Sequence, residues 1–400
     1  MHLTKKEKDM LQGSEGKGIQ RAMEILSALG EIYNAEKLIP VESVQVSGVS
    51  FKNLGDAGLE FLEGWAETGV KARVKAFLNP AGMDLKNWRE LGFPKEFAVK
   101  QLRLIDVYRS MDLDITCTCT PYLAGNKPSL GEHIAWSESS AVSYANSVLG
   151  ARTNRESGIS ALSSALTGLT PEYGFHLDAN RRADYVVDVS FSFKSESDYS
   201  ALGYMVGKRV GGGIPYFRGL SNPSKDQLKS LGAAMAASGS VAMYHVENVT
   251  PEANPELIKK DAPVLEINDL AKGYAGLNSE TSVIDLVSIG CPHASIKELE
   301  EIASMLNGER VKTTLWITTS RYVKQKAKDS GLLDRIQDSG AVVVSDTCMV
   351  VAPVEDLGFS SMATNSGKMA FYAPAHCGLR VRFGSLRKCI NSALTGRWES

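Results

Sequence analysis

The C-terminal third of the chain alternates strand patterns with helix patterns, and this alternation constrains the fold more than any other feature. Residues 283–289, 313–318 and 342–344 are short apolar runs of the kind found in strands buried on both faces. Ser295 and Glu298 have capping-box spacing, which predicts that a helix begins between the first two runs. A βαβαβ succession of this kind forms a parallel sheet with right-handed crossovers.

Cysteines recur directly after such runs. Cys291 follows run 283–289, Cys348 follows run 341–344, and a C-x-C pair, Cys117 and Cys119, follows the short run 113–116. The carboxyl ends of parallel strands meet along one edge of a sheet. Strands that face one cleft can therefore bring together thiols that are far apart in the sequence.

Three thiols without a fourth partner suit an iron–sulfur cluster in which one iron has no protein ligand. Zinc held by Cys291, His293 and Cys348 is an alternative, although zinc ligands usually come in closer pairs. A nucleophilic Cys377 beside His376 is another alternative, and it requires two sequence neighbours to point at each other. Any of these thiols can also be a buried core residue, since free cysteine is among the most buried residue types.

The composition excludes several classes of partner. With 44 basic and 46 acidic residues the net charge is −2, so neither nucleic acid nor a membrane surface is an expected partner. No run of 18 apolar residues occurs and the N-terminus lacks the apolar core of a signal peptide, which predicts a cytoplasmic protein. Six cysteines in 400 residues are too few for a secreted disulfide framework.

We expect three regions along the chain. Residues 1–150 form an N-terminal α/β region, residues 151–275 a middle region rich in Gly and Ala, and residues 276–400 the C-terminal βαβαβ region. Within the middle region, residues 207–213 are predicted to be a loop. Residues 247–272, which contain three prolines, are predicted to connect two lobes.

Polar candidates also stand at strand ends and helix starts. Residues 48–50 form a Gly-Val-Ser turn whose backbone N–H groups can point at an anion. Asn79 and Pro80 end the next predicted strand. Glu138 begins a helix, where an acidic residue often does no more than stabilise the first turn. Lys368 follows a segment of small residues, and the alternative for it is an ordinary solvated lysine.

Taken together, four segments resemble the aconitase X family, a branch of the aconitase superfamily of hydro-lyases. The segments are residues 287–293 (VSIGCPH), 345–348 (SDTC), 116–122 (TCTCTPY) and 364–368 (TNSGK). The resemblance covers nearly the whole chain. It implies an α/β, aconitase-like fold of several lobes, in which mainly parallel sheets flanked by helices surround a central cleft.

The resemblance also implies a site. It makes Cys119, Cys291 and Cys348 the ligands of an iron–sulfur cluster, 4Fe-4S in type or with fewer irons. Cys119 is preferred to Cys117 because it directly precedes the Thr-Pro-Tyr of the family motif. The implied catalytic residues are Glu138 and Lys368. The implied substrate contacts are Gly48, Val49, Ser50, Asn79, Pro80, Glu138, Ser139 and Lys368.

The reaction implied by the resemblance is a dehydration. We expect (R)-5-phosphomevalonate to be converted to trans-anhydromevalonate 5-phosphate, with an open iron as Lewis acid. The alternatives are dehydration of cis-3-hydroxy-L-proline at the same site and a non-catalytic scaffold subunit. The swivelling small domain of aconitases is not recognised in this sequence. The resemblance therefore implies a heterodimer whose small subunit carries that domain and the main base.

Overall fold

The computed structural model describes residues 1–399, in which helices and strands alternate along most of the chain. The strands are β1 (Leu38–Pro40), β2 (Ser43–Val46), β3 (Lys75–Leu78), β4 (Ala135–Trp136), β5 (Leu169–Pro171), β6 (Tyr185–Val189), β7 (Pro215–Arg218), β8 (His245–Val246), β9 (Val264–Ile267), β10 (Leu286–Ile289), β11 (Thr314–Thr319), β12 (Val342–Ser345), β13 (Ser361–Thr364) and β14 (Arg380–Phe383). The helices are α1 (Lys5–Leu11), α2 (Lys17–Ile32), α3 (Phe51–Ala66), α4 (Lys95–Ser110), α5 (Ser139–Tyr144), α6 (Gly158–Thr167), α7 (Glu196–Val210), α8 (Lys225–Gly239), α9 (Ala271–Gly276), α10 (Ile296–Leu306), α11 (Arg321–Asp329), α12 (Leu332–Gln337), α13 (Gly367–Cys377) and α14 (Leu386–Thr395). None of the helices in these residues is both long and apolar enough to span a bilayer.

The N-terminal region is built on a parallel sheet of three strands in the order β3-β2-β4. Helix α6 packs on β2, and α2 packs on α6. Their apolar faces join those of α3 and α4 in one hydrophobic core, which contains the fully buried Trp65 and Leu78. A short antiparallel pair, β1 with β5, lies beside this sheet. Val44 and Val46 share one face of β2, and Gln45 is buried on the other, where its amide donates to the carbonyl oxygen of Thr118 at 2.9 Å.

The middle region contains a second parallel sheet, in the order β8-β7-β6-β9. Two of the expectations for this region are wrong. Residues 207–210 are the last turn of α7, so only residues 211–213 are outside the helix. Residues 247–272 include β9, which pairs with β6 and completes the sheet. The glycines serve close helix packing, because a Cβ at Gly239 would lie 1.9 Å from the carbonyl oxygen of Gly207.

The C-terminal region confirms the predicted βαβαβ succession. Strands β10, β11 and β12 lie next to each other and are parallel, and β13 and β14 extend the sheet in the order β12-β11-β10-β13-β14. Helix α10 begins with the predicted capping box between Ser295 and Glu298. The α/β class with several mainly parallel sheets flanked by helices is therefore confirmed.

A backbone connection joins the N-terminal and C-terminal sheets at their carboxyl ends. Ala81, just beyond β3, pairs with Thr347, just beyond β12. The N–H group of Ala81 donates to the carbonyl oxygen of Asp346 at 2.7 Å, and the N–H group of Cys348 donates to that of Ala81 at 3.1 Å. The loops that follow the strands of both sheets thus meet in one place.

Candidate active site

Except for Cys119, the residues named from the sequence lie just beyond the carboxyl end of a strand. The expected strand at residues 113–116, before Cys117 and Cys119, is only an isolated bridge between Asp114 and Phe77. After β2, β3 and β4, the N-terminal sheet contributes residues 48–50, Asn79, Pro80, Glu138 and Ser139. After β10, β12 and β13, the C-terminal sheet contributes Cys291, Cys348 and Lys368. Open α/β sheets hold their ligands at such ends.

Lys368 and Glu138 form a buried ion pair between the two sheets. Lys368 lies in the first turn of α13 and is 7% exposed, so the alternative of a solvated lysine is wrong. Its ammonium contacts Oε1 of Glu138 and lies 3.3 Å from the hydroxyl of Ser140. The carboxylate also accepts hydrogen bonds from the Asn79 amide at 2.8 Å and from the Ser140 hydroxyl at 3.0 Å.

The helix start does not explain Glu138. Glu138 is the N-cap of α5, whose first residue is the buried Ser139, but the Glu138 side chain makes no capping hydrogen bond. Burial raises the pKa of its carboxyl. The charge of Lys368 and the hydrogen bonds from Lys368, Asn79 and Ser140 outweigh burial and lower this pKa to about 2. The carboxylate is therefore ionised and turned towards Lys368.

Lys368 also stands among the three cysteines. Burial lowers the pKa of its ammonium, but the charge of Glu138, followed by those of Cys291, Cys119 and Cys348, raises the pKa above its usual value. Burial raises the pKa of each of the three thiols, and Lys368 lowers it in part. For Cys291 the result is a pKa of about 12. These thiols are thus protonated at neutral pH, and a bound metal would ionise them.

The two members of the C-x-C pair have different neighbours. Cys119 is near Glu138, Lys368 and Cys348, and its sulfur accepts a hydrogen bond from the backbone N–H group of His293 at 3.2 Å. Cys117 is fully buried and belongs to the N-terminal hydrophobic core. The structure therefore groups Cys119 with Lys368 and leaves Cys117 in the core.

The geometry around His293 disfavours a zinc site. Its Nδ1 lies 3.0 Å from the Thr118 hydroxyl, and its Nε2 lies 2.9 Å from the carbonyl oxygen of Thr347. Both ring nitrogens therefore already have protein partners, and burial lowers the pKa of the ring to about 4. Within residues 1–399, no three His, Cys, Asp or Glu side chains are grouped to hold one metal ion. A four-iron cluster has no such need, because each of the three cysteines binds a different iron.

Cys377 is not arranged as a nucleophile. Its sulfur lies 3.5 Å from the carbonyl oxygen of Met349, and its side chain is buried in a hydrophobic cluster to which all three regions contribute. Burial raises its pKa to about 11. The exposed ring of His376 packs against Tyr372 instead. The pair of sequence neighbours does not form the contact that nucleophilic catalysis requires.

The turn at residues 48–50 precedes the N-terminus of α3. Gly48 has φ of +78°, a backbone conformation that favours glycine. Its carbonyl oxygen accepts from the Tyr108 hydroxyl at 3.0 Å, and that of Val49 accepts from the Gln101 amide at 2.7 Å. Within the described chain, the N–H groups of Gly48, Val49 and Ser50 donate to no protein acceptor. Three unpaired donors thus remain beside a helix N-terminus.

Asn79 and Pro80 link the polar group to the cysteines. The Asn79 amide donates to Glu138, whereas its buried Oδ1 has no protein partner in residues 1–399. The buried Pro80 leads into Ala81, which pairs with the Cys348 loop. A ligand or a water must donate to a buried oxygen that has no protein partner.

The sequence interpretation missed Gln101. This side chain is fully buried and accepts from the N–H groups of Phe51 and Gly82, both at 3.1 Å, besides its bond to Val49. It therefore fixes the turn that precedes α3. Gln101 lies on the apolar face of α4 with Ala98, Leu104, Ile105 and Tyr108. A polar residue on such a face needs buried partners, and that signal was available from the sequence.

Family models and curated relatives match nearly the whole chain. Family models of the aconitase X first, second and third domains match residues 1–179, 183–272 and 284–395. The phosphomevalonate dehydratase large subunit of Methanocaldococcus jannaschii is 50% identical, over 98% of this chain and 99% of its own length. The cis-3-hydroxy-L-proline dehydratase of Hypocrea jecorina is 36% identical, over 100% of this chain and 70% of its own length.

A solved structure matches over nearly the same extent. The holo-form of Thermococcus kodakaraensis aconitase X superposes with a TM-score of 0.92 at 47% identity, covering 98% of this chain and 100% of that one. The three domain models occur in order along the sequence, and the fold agrees throughout. The chain therefore belongs to the aconitase X family.

Proposed function

We propose that the chain is the large subunit of a dehydratase that removes water from (R)-5-phosphomevalonate to give trans-anhydromevalonate 5-phosphate. The observation that carries the proposal is the buried pair of Lys368 and Glu138 among three cysteines. The name of the M. jannaschii relative supports the substrate, and its designation as a large subunit supports a small-subunit partner.

The donor set fits an iron–sulfur cluster. Cys119, Cys291 and Cys348 are the three thiols whose charges act on Lys368. Three ligands leave one iron of a four-iron cluster without a protein ligand. Such a cluster, when bound, supplies a Lewis acid that withdraws charge from a carboxylate and weakens a carbon–oxygen bond.

Lys368 is proposed to bind an anionic group of the substrate. Its ammonium stays protonated because Glu138 raises its pKa, so it offers a fixed positive charge in a site that excludes most water. Glu138 is proposed to hold that ammonium in place. With a pKa of about 2 it is too weak a base to take a proton from carbon.

The turn at residues 48–50 is proposed to bind the other anionic end of the substrate. Its unpaired N–H groups and the N-terminus of α3 favour a phosphate or carboxylate. The unpaired Oδ1 of Asn79 can accept a hydrogen bond from the substrate hydroxyl. Two anionic ends and a hydroxyl match 5-phosphomevalonate, which carries a carboxylate, a phosphate and a tertiary hydroxyl.

The reaction requires a base that these residues do not supply. A proton leaves C2 to the base, the C2–H electrons form the C2=C3 bond, and the C3 hydroxyl leaves and becomes water on taking up a proton. Lys368 is already protonated, and Glu138 is weakly basic. We therefore assign the base to the small subunit, which completes the site.

The test uses the chain reconstituted anaerobically with iron and sulfide and mixed with the small subunit. We expect turnover of phosphomevalonate but not of cis-3-hydroxy-L-proline, and turnover of hydroxyproline alone would overturn the substrate. Cys291→Ser is expected to abolish both cluster absorbance and turnover. Cys117→Ser is the matched control and is expected to retain both. A wild-type chain that takes up no iron would instead support a scaffold subunit.

A further inference from the structure

We propose that His293 is a positioning residue that holds the three cysteine-bearing loops in one arrangement. The inference rests on the proposed function, because it assumes that Cys119, Cys291 and Cys348 bind the cluster. His293 is 1% exposed and lies two residues after Cys291, in the loop between β10 and α10. It is not itself a ligand in this proposal.

Three contacts of His293 reach the other two loops. Its backbone N–H group donates to the sulfur of Cys119 at 3.2 Å. Its ring Nδ1 lies 3.0 Å from the hydroxyl of Thr118, the neighbour of Cys119. Its ring Nε2 lies 2.9 Å from the carbonyl oxygen of Thr347, the neighbour of Cys348. One residue therefore connects all three loops.

The hydrogen-bond partners determine the state of the ring. A carbonyl oxygen only accepts, so Nε2 carries the hydrogen and donates to Thr347. Nδ1 of the neutral ring then accepts from the Thr118 hydroxyl. That hydroxyl accepts in turn from the backbone N–H group of Thr120 at 3.1 Å and pairs with the Thr120 hydroxyl at 3.2 Å. Every polar atom in this chain of bonds has a partner.

The backbone around His293 is anchored as well. The N–H group of the next residue, Ala294, donates to the carbonyl oxygen of Thr318 in β11 at 2.9 Å. The carbonyl oxygen of His293 lies 3.5 Å from the ammonium of the buried Lys229. The ring is thus held from a fixed backbone position and can orient the more distant loops.

The shape of the imidazole ring suits a connection between two loops. Its two nitrogens point away from each other, one towards the Cys119 loop and one towards the Cys348 loop. An amide of Gln has both its donor and its acceptor at one end and cannot reach both loops from the same backbone position. We therefore expect His293→Gln to keep a polar side chain at this position but to lose the connection between the two loops.

The contacts of His293 determine how firmly the protein holds the three thiols. Thr118, Thr347 and His293 are all fully or almost fully buried, so no water replaces a lost hydrogen bond without rearrangement. Groups that orient metal ligands from the next layer typically change metal affinity or activity by roughly 10–100-fold when they are removed. Loss of the His293 contacts should therefore loosen the cluster.

The experiment compares His293→Gln and His293→Ala with His245→Gln after anaerobic reconstitution of the full chain. His245 is a matched control, because it is also buried and its Nε2 lies 2.9 Å from a carbonyl oxygen, that of Arg181 in the middle region. The readouts are iron and sulfide per chain, the electron paramagnetic resonance spectrum after reduction, and the rate of iron release to a chelator. We expect at least about tenfold faster iron release from both His293 variants, and the wild-type rate from His245→Gln.

A second pair of variants keeps the inference testable if the His293 variants do not fold. Thr118→Val removes the hydroxyl bound to Nδ1 with little change of volume, and Thr118→Ser retains it. We expect faster iron release from Thr118→Val and the wild-type rate from Thr118→Ser. If the His293 and Thr118→Val variants fold and release iron at the wild-type rate, the inference about His293 is overturned and the proposed function is not affected. A wild-type chain that takes up no iron would overturn the proposed function as well.

Discussion

Two buried lysine–carboxylate pairs lie near Cys291. The cleft pair is Lys368 with Glu138, whose side chains are 8% and 13% exposed. The helix pair is Lys229 of α8 with Glu298 of α10, whose side chains are 3% and 9% exposed. The two pairs are alike in their burial and in the direct contact between the ammonium and a carboxylate oxygen. Their surroundings differ.

Both members of the helix pair bond to further protein groups. Glu298 accepts from the N–H group of Ser295 at 2.7 Å, which completes the capping box of α10. The Ser295 hydroxyl donates to Asp226 at 3.0 Å, and Asp226 lies 3.1 Å from Lys229. This pair secures the start of α10 against α8.

The cleft pair borders groups that have no protein partner. Glu138 is an N-cap but makes no capping bond, and the Oδ1 of Asn79 beside it is buried and unpaired within residues 1–399. A buried charge pair is by itself weak support for either stability or function. The distinction lies in the direct partners of the two carboxylates: Asn79, which donates to Glu138, has an Oδ1 that is unpaired in the described residues, whereas the Ser295 hydroxyl beside Glu298 both donates and accepts within the protein.

The largest effect is expected from Lys368→Met. Loss of a preorganised charge in the site should lower turnover about 10³-fold, equivalent to about 4 kcal/mol. Turnover is measured with the small subunit, as formation of the C2=C3 bond by proton NMR. The double variant Lys368→Met with Glu138→Gln removes the uncompensated carboxylate. We expect it to regain stability but not turnover, and recovered turnover would show that the cleft pair is structural.

Lys229→Met is expected to act on stability instead. Removing one partner of this buried pair should cost about 3 kcal/mol in the free energy of unfolding, measured by urea denaturation. Adding Glu298→Gln should restore most of that loss, because Gln keeps the capping-box bond without the charge. Turnover per folded molecule should fall far less than in Lys368→Met, because Lys229 reaches the site only through the backbone carbonyl oxygen of His293. A large loss of turnover in the double variant would contradict the comparison.

The same contrast explains what the sequence can predict. Ser295 and Glu298 are three residues apart, so their capping box was visible as a local pattern, as was the βαβαβ succession. Lys229 reaches Glu298 from 69 residues away, and Lys368 reaches Glu138 from 230 residues away. The periodicity of apolar residues carries no information about contacts between residues so far apart in the sequence. The sequence marked Lys368 and Glu138 as separate candidates, and only the resemblance to a family placed them in one site before the structure brought them together.

The middle region was the weakest part of the sequence interpretation, for a related reason. Strand β9 lies in a stretch with three prolines, and proline usually indicates a connection. The prolines stand outside the strand, which pairs along its length with β6. Short strands followed by turn residues give little periodicity to detect. Pairing with distant strands decides the structure of such segments.

The smallest effects are expected from removing the serine hydroxyl beside each pair, that of Ser295 for the helix pair and that of Ser140 for the cleft pair. Ser295→Ala removes the acceptor for the N–H group of Glu298, at 3.2 Å, and should cost about 1 kcal/mol in the free energy of unfolding without changing turnover. Ser140→Ala removes the hydroxyl that donates to Glu138 at 3.0 Å. Because Glu138 then holds Lys368 less firmly, turnover should fall about fivefold, equivalent to about 1 kcal/mol. Loss of turnover in Ser295→Ala, with none in Ser140→Ala, would reverse the roles assigned to the two pairs.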